Sequence, residues 1–104
     1  MDTKTRHHAR AYLGEHQIAK TDEAIYLEGN YYFPRGALSA GLLAESERTY
    51  VCPWKGEANY FDLYVDDHQV FDAAWTYRTP SEAAADIAEM IAFDAFKGIR
   101  IVTD

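Results

Sequence analysis

The sequence holds a single cysteine, Cys52, among its 104 residues. One thiol closes no intrachain disulfide, so the cross-linked framework of a small secreted domain is excluded. One thiol is also too few for the tetrahedral thiolate site of a structural zinc. No stretch approaches 18 apolar residues, which argues against a membrane-spanning helix. Met1 to Arg10 carries no apolar segment of the kind that directs secretion, and the expectation is a cytoplasmic location. Positive charge is scarce as well. Ten Lys and Arg stand against seventeen Asp and Glu, a net charge of −7, and the basic residues nowhere cluster. Such a field repels phosphate backbones and anionic headgroups, so neither nucleic acid nor a membrane surface is expected as a partner.

Most catalytic signatures are missing too. There is no Gly-rich dinucleotide loop, no Gly-x-Ser-x-Gly elbow and no His-Glu-x-x-His. The four histidines, His7, His8, His16 and His68, lack metal-ligand spacing, and neighbours such as His7 and His8 face opposite ways on a strand. No metal and no cofactor are expected.

What is present is apolar and aromatic. The chain is 48% hydrophobic and 14% aromatic, with eight Tyr, five Phe and two Trp. A chain of this length buries roughly two-thirds of its unfolded surface, enough for one core. Aromatic residues favour the pleated, half-buried surface of a sheet.

Strand signals begin at Ala9. ARAYL and HQIAK flank Gly14-Glu15, a pair suited to a two-residue hairpin turn of type II′. AIYLE (24–28) alternates and stops at the turn signal Gly29-Asn30, and Tyr31 to Phe33 forms a short strand ended by Pro34. Residues 35–47 read as a loop with a helical turn. RTYVC (48–52) is a strand, Pro53 to Gly56 a turn, and NYFDLYV (59–65) the strongest strand. Asp66-Asp67 turns the chain back into Gln69 to Phe71 and Ala73 to Tyr77. A helix is then expected over about 80–92, with Thr79 as its cap, Pro80 in the first position, Glu82 in the first turn, and Ala84, Ile87, Met90 and Ile91 as an apolar stripe. Ile99 to Val102 closes the chain as a strand. The expected class is α+β, mostly antiparallel β, with a flexible tail over 1–8 and a single domain over 9–104.

Three stretches carry a resemblance: Tyr31-Tyr32-Phe33-Pro34-Arg35; Cys52-Pro53-Trp54-Lys55-Gly56 followed by Ala58 and Tyr60; and Ala74-Trp75 with Tyr77 and Pro80. Ile87 and Ala92-Phe93 fit the same pattern. In their order and spacing they resemble the family catalogued as domain of unknown function 427. The resemblance implies a β-tent, or Mss4-like, fold in which two antiparallel sheets meet at an angle. It implies no established activity. A nucleotidyltransferase label attached to parts of that family finds no support in the residues, for there is no Gly-Ser phosphate loop. Asp62, Asp66 and Asp67 also lack the Asp-x-Asp spacing.

The motifs each have a plain reading and a chemical one. Cys52 can simply end a strand in the core, or Lys55 can favour its thiolate and make it a nucleophile or redox centre. Arg35, leaving an aromatic strand through Pro34, can pair with a surface carboxylate or clamp an anion bidentately. Trp75 and Tyr77 share one face and can be core or, with Trp54, a wall for a ligand. The favoured expectation is a module that binds a small anionic or amide-bearing metabolite through Tyr32, Arg35, Trp54, Lys55, Trp75 and Tyr77. Domains of β-tent type use aromatic cages for amide ligands, which is an analogy of fold. The alternatives are an enzyme built on Cys52 and an interaction domain that docks a protein or a second copy of itself.

Overall fold

Alternating apolar residues between tight turns give eight strands in a computed structural model that describes residues 5–103. Strand β1 (Arg6–Leu13) runs through Gly14-Glu15 into the long strand β2 (His16–Leu27). Gly14 has φ +61 while Glu15 stays at negative φ, as a II′ turn requires. The next turn is Glu28-Gly29, both at positive φ (52° and 88°), one residue ahead of the Gly29-Asn30 expected. It leads into β3 (Asn30–Tyr32). After a short 3-10 turn at Arg35–Ala37 come β4 (Leu43–Cys52), β5 (Gly56–Val65) and β6 (His68–Tyr77), then β7 (Ile91–Phe93) and β8 (Ile99–Thr103). Residues 1–4 of the expected tail lie outside the described residues, whereas Arg6 to His8 are part of β1.

Every pairing between neighbouring strands is antiparallel. One sheet has the order β3-β2-β1-β8 and the other β4-β5-β6-β7. Their backbones are stitched where Phe33 donates to Ile91 O (2.7 Å) and Ile91 donates to Phe33 O (2.8 Å). The chain is therefore mostly antiparallel β in two sheets.

The expected helix over 80–92 is replaced by a 3-10 turn at Glu82–Ile87 and by strand β7. Ala84 sits at φ −115°, ψ 20°, outside helical geometry, and Ser81 rather than Thr79 precedes the turn, with no side-chain cap. The reason is competition for backbone groups. Ser81 N–H goes to Lys55 O (2.9 Å), Glu89 N–H to Tyr77 O (2.9 Å), and Ile91 pairs with Phe33, so both ends of the segment are tied to strands. A helix of about a dozen residues is marginal by itself and yields to such pairing. The apolar stripe reported burial correctly, since Ala84, Ile87 and Ile91 are inaccessible to solvent.

Strand alternation sorts the interior into two clusters. Phe61, Leu63 and Val65 of β5 join Ile18, Phe33, Ile91 and Phe93 in the larger one. The other phase of β5 and β6 supplies Ala58, Tyr60, Trp75 and Tyr77 to a second cluster with Ile25, Tyr32, Cys52, Ala84, Ile87 and Ala92. That second cluster positions the site. Among the described residues no helix is long and apolar enough to cross a membrane.

Candidate functional site

The site starts at the turn between β4 and β5. Cys52 and Gly56 face each other across it, and Pro53, Trp54 and Lys55 form its tip. The backbone N–H groups of Lys55 and Trp54 lie on the Cys52 side of this tip and favour the thiolate form of Cys52. Gly56 adopts φ +114, a conformation that a side chain disfavours, and the segment Thr79–Ser81 packs directly on its backbone. Ser81 N–H then holds the Lys55 carbonyl.

So fixed, Lys55 turns inward and is 7% exposed, while Trp54 remains 38% exposed. The Lys55 ammonium lies 5.2 Å from the centre of the Trp54 ring and 5.6 Å from that of Tyr77. A buried cation needs an anion, and Glu28 provides it from the β2–β3 turn. One Glu28 oxygen is bound by Lys55 Nζ, and the other accepts the Trp54 indole N–H at 2.9 Å. Behind them Tyr32, 1% exposed, accepts the Trp75 indole N–H at 3.3 Å.

Ionisation follows this geometry. The hydrogen bond from Lys55 holds the Glu28 carboxyl below its ordinary value of 4.5. Burial pulls Lys55 down, but the Glu28 hydrogen bond and the neighbouring Tyr32, Cys52 and Glu28 charges outweigh it, and its ammonium is held above the ordinary value. Burial pushes the phenols of Tyr32 and Tyr77 up. Burial also acts to raise the Cys52 thiol, yet the two backbone N–H groups and the Lys55 charge prevail and lower it. The cluster thus holds a thiol disposed toward thiolate beside a fully charged ion pair.

Of the residues singled out in the sequence, Tyr32, Cys52, Trp54, Lys55, Trp75 and Tyr77 share this neighbourhood. Arg35 has other contacts: it is exposed, its guanidinium lies 5.0 Å from the centre of the Phe61 ring, and it faces Glu89 at 3.9 Å. Asp62 and Asp66 do not act as a pair. Asp62 accepts the Asp72 backbone N–H (2.8 Å), while Asp66 meets His16 (3.0 Å) where the β1–β2 and β5–β6 turns approach each other. His8 is held by Asp22 at 2.7 Å, and His7 packs edge-on against Tyr31. Among the described residues no three His, Cys, Asp or Glu side chains gather as metal ligands.

Glu28 is the site residue that sequence reasoning missed. It precedes a turn glycine, with no motif around it, and only the tertiary approach of two hairpin tips reveals its role. Two surface hollows among the described residues lie away from the Trp54–Lys55 turn. One of about 490 Å³ is lined by Gly29, Tyr31, Phe93, Ile99, Arg100 and neighbours, and a more apolar one of about 270 Å³ by Leu13, His16, Val65, His68 and Val70.

No curated protein matches the chain. A family model described as domain of unknown function (DUF427) matches residues 2–102, which takes in both sheets and every residue of the cluster. The chain belongs to the DUF427 family.

Proposed function

We propose that the chain is a small-molecule binding module of β-tent type, with its site at the Trp54–Lys55 turn. The ligand is one that offers acceptor oxygens, a carboxylate or an amide carbonyl. The observation that carries this reading is the convergence of two side-chain donors, Lys55 Nζ and Trp54 Nε1, on the two oxygens of one carboxylate beside the rings of Trp54 and Tyr77. A few directed polar groups against aromatic faces are what a small-molecule site needs to orient a ligand. Arg35 plays no part in this form of the site, because its guanidinium is engaged over Phe61. The net charge of −7 keeps nucleic acid out of the reading, and the lone cysteine is in keeping with a cytoplasmic protein.

A thermal-shift screen with carboxylates, cyclic imides, amides and phosphorylated metabolites tests it, on the native chain and on Lys55→Met. A ligand at about 100 times its dissociation constant adds roughly 2.7 kcal/mol, or roughly 10 °C in Tm for a domain of this size. The expected result is a shift that disappears in Lys55→Met. A shift equal in both proteins would move the site away from the turn.

A second reading, an enzyme or redox protein using Cys52, is favoured by the neighbouring backbone N–H groups and the Lys55 charge, which lower the thiol's pKa. Set against it is burial, since Cys52 is 8% exposed.

A further inference from the structure

The donors and the acceptor of the Glu28 contact differ in how firmly they are held. Lys55 is anchored: its side chain is 9% exposed, its carbonyl is bound by Ser81, and its turn is closed by the pairing of Cys52 with Gly56. Trp54 belongs to the same turn. The Glu28 side chain is 48% exposed and springs from a residue at φ +52, in the left-handed region that non-glycine residues adopt at a cost. The two halves come from different hairpins, so the carboxylate can leave without disturbing the turn that binds it.

From this we infer that Glu28 occupies the place of a ligand carboxylate. It is an internal stand-in that closes the site, and the group recognised there is the carboxylate of a small molecule with a flat or apolar body. The inference rests on the Trp54–Lys55 turn being a small-molecule site and adds the ligand class and the gate. The chemistry is an exchange. The incoming carboxylate takes the ammonium and the indole N–H, Glu28 moves into water, and the number of charge-assisted hydrogen bonds at the turn is unchanged. The body of the ligand lies against the exposed part of the Trp54 ring. A free ligand pays for the exchange with the equilibrium between closed and open Glu28. If Glu28 closes the site nine-tenths of the time, the apparent affinity falls about tenfold. An amide loses more, because it brings no charge to an ammonium left unpaired.

The experiment follows the Trp54 indole N–H by NMR while benzoate or benzamide is titrated into the native protein, Glu28→Ala, Glu28→Gln and Glu28→Ala/Lys55→Met. Amide spectra of each variant report its fold, and Glu28→Gln, which keeps an acceptor oxygen, stands in if the alanine variant unfolds. The result expected is benzoate binding at least about tenfold tighter to Glu28→Ala than to the native chain. That gain should be smaller in Glu28→Gln and abolished by Lys55→Met, with benzamide weaker throughout. Equal benzoate affinity with and without Glu28 would overturn the stand-in while leaving the site intact. Benzamide binding where benzoate does not would overturn the ligand class and again leave the site. An indole unmoved by either probe in all four proteins would overturn both.

Discussion

Trp54 Nε1 lies 2.9 Å from Glu28 Oε2, joining the tips of two hairpins whose contacting residues are 26 apart in the chain. Lys55 grips the other oxygen from a nearly inaccessible position. An ammonium so placed tolerates replacement by an apolar chain better than it tolerates loss of its anion. Glu28→Ala should therefore lower Tm more than Lys55→Met does. The double variant should return to the level of Lys55→Met alone. Thermal denaturation near neutral pH measures all three, and equal losses in the single variants would mean that Lys55 reaches water without Glu28.

The same pair sets a pH dependence. Glu28 has a folded value below its ordinary 4.5, so its contribution is present above that value and is lost as pH falls through the lower one. Lys55 is shifted above 10.5, so its share is complete below 10.5 and is lost as pH climbs through the raised value. The stability difference between the native chain and Glu28→Gln should be flat at intermediate pH and shrink at both extremes. Denaturant melts between about pH 3 and pH 11 read it directly. A difference unchanged in acid would mean that the Glu28 carboxyl is not bound to Lys55 in solution.

Strands and turns were legible in the sequence wherever two signals agreed. Gly14-Glu15 lies between alternating segments and makes the turn expected of it, and Asp66-Asp67 does the same. The segment over 80–92 misled because Ala84, Ile87 and Ile91 have a helical spacing that tertiary hydrogen bonds at Ser81, Glu89 and Ile91 override. Burial was readable there and backbone shape was not. At the site, Trp75 and Tyr77 were placed on one face by the period of two, and Cys52, Trp54 and Lys55 by their shared turn. Glu28 was hidden since nothing local marks it. The separate engagement of Arg35 was hidden because it depends on Phe61, which is distant in sequence.

Gly56 offers a test of the turn itself. A Cβ there would meet Thr79 O at 3.5 Å, an ordinary contact, so space is not the constraint. The constraint is φ +114, far from where residues with side chains settle. Gly56→Ala should cost about 1–3 kcal/mol of stability in urea denaturation, and Gly56→Ser about the same, since the strain belongs to the backbone. A serine variant much worse than the alanine would show that crowding against Thr79–Ser81 governs instead.

Cys52 supplies the last prediction. Its thiol is pushed up by burial and pulled down further by the backbone N–H groups of Lys55 and Trp54 and by the Lys55 charge. The pH midpoint for alkylation by iodoacetamide in the folded protein should therefore lie below the ordinary thiol value of 9.0. At 8% exposure the plateau rate should be slower than in denaturant, because access limits a reagent even when the thiolate is abundant. Lys55→Met removes the charge and leaves the backbone N–H groups, so the midpoint should rise part of the way toward 9.0. The two measurements separate the chemical role from the structural one. A depressed midpoint with a fast plateau would promote Cys52 to a candidate nucleophile. A depressed midpoint with a slow plateau would make its sulfur a hydrogen-bond acceptor that holds the Trp54–Lys55 turn in shape, which is the role that the ligand-binding reading assigns to it.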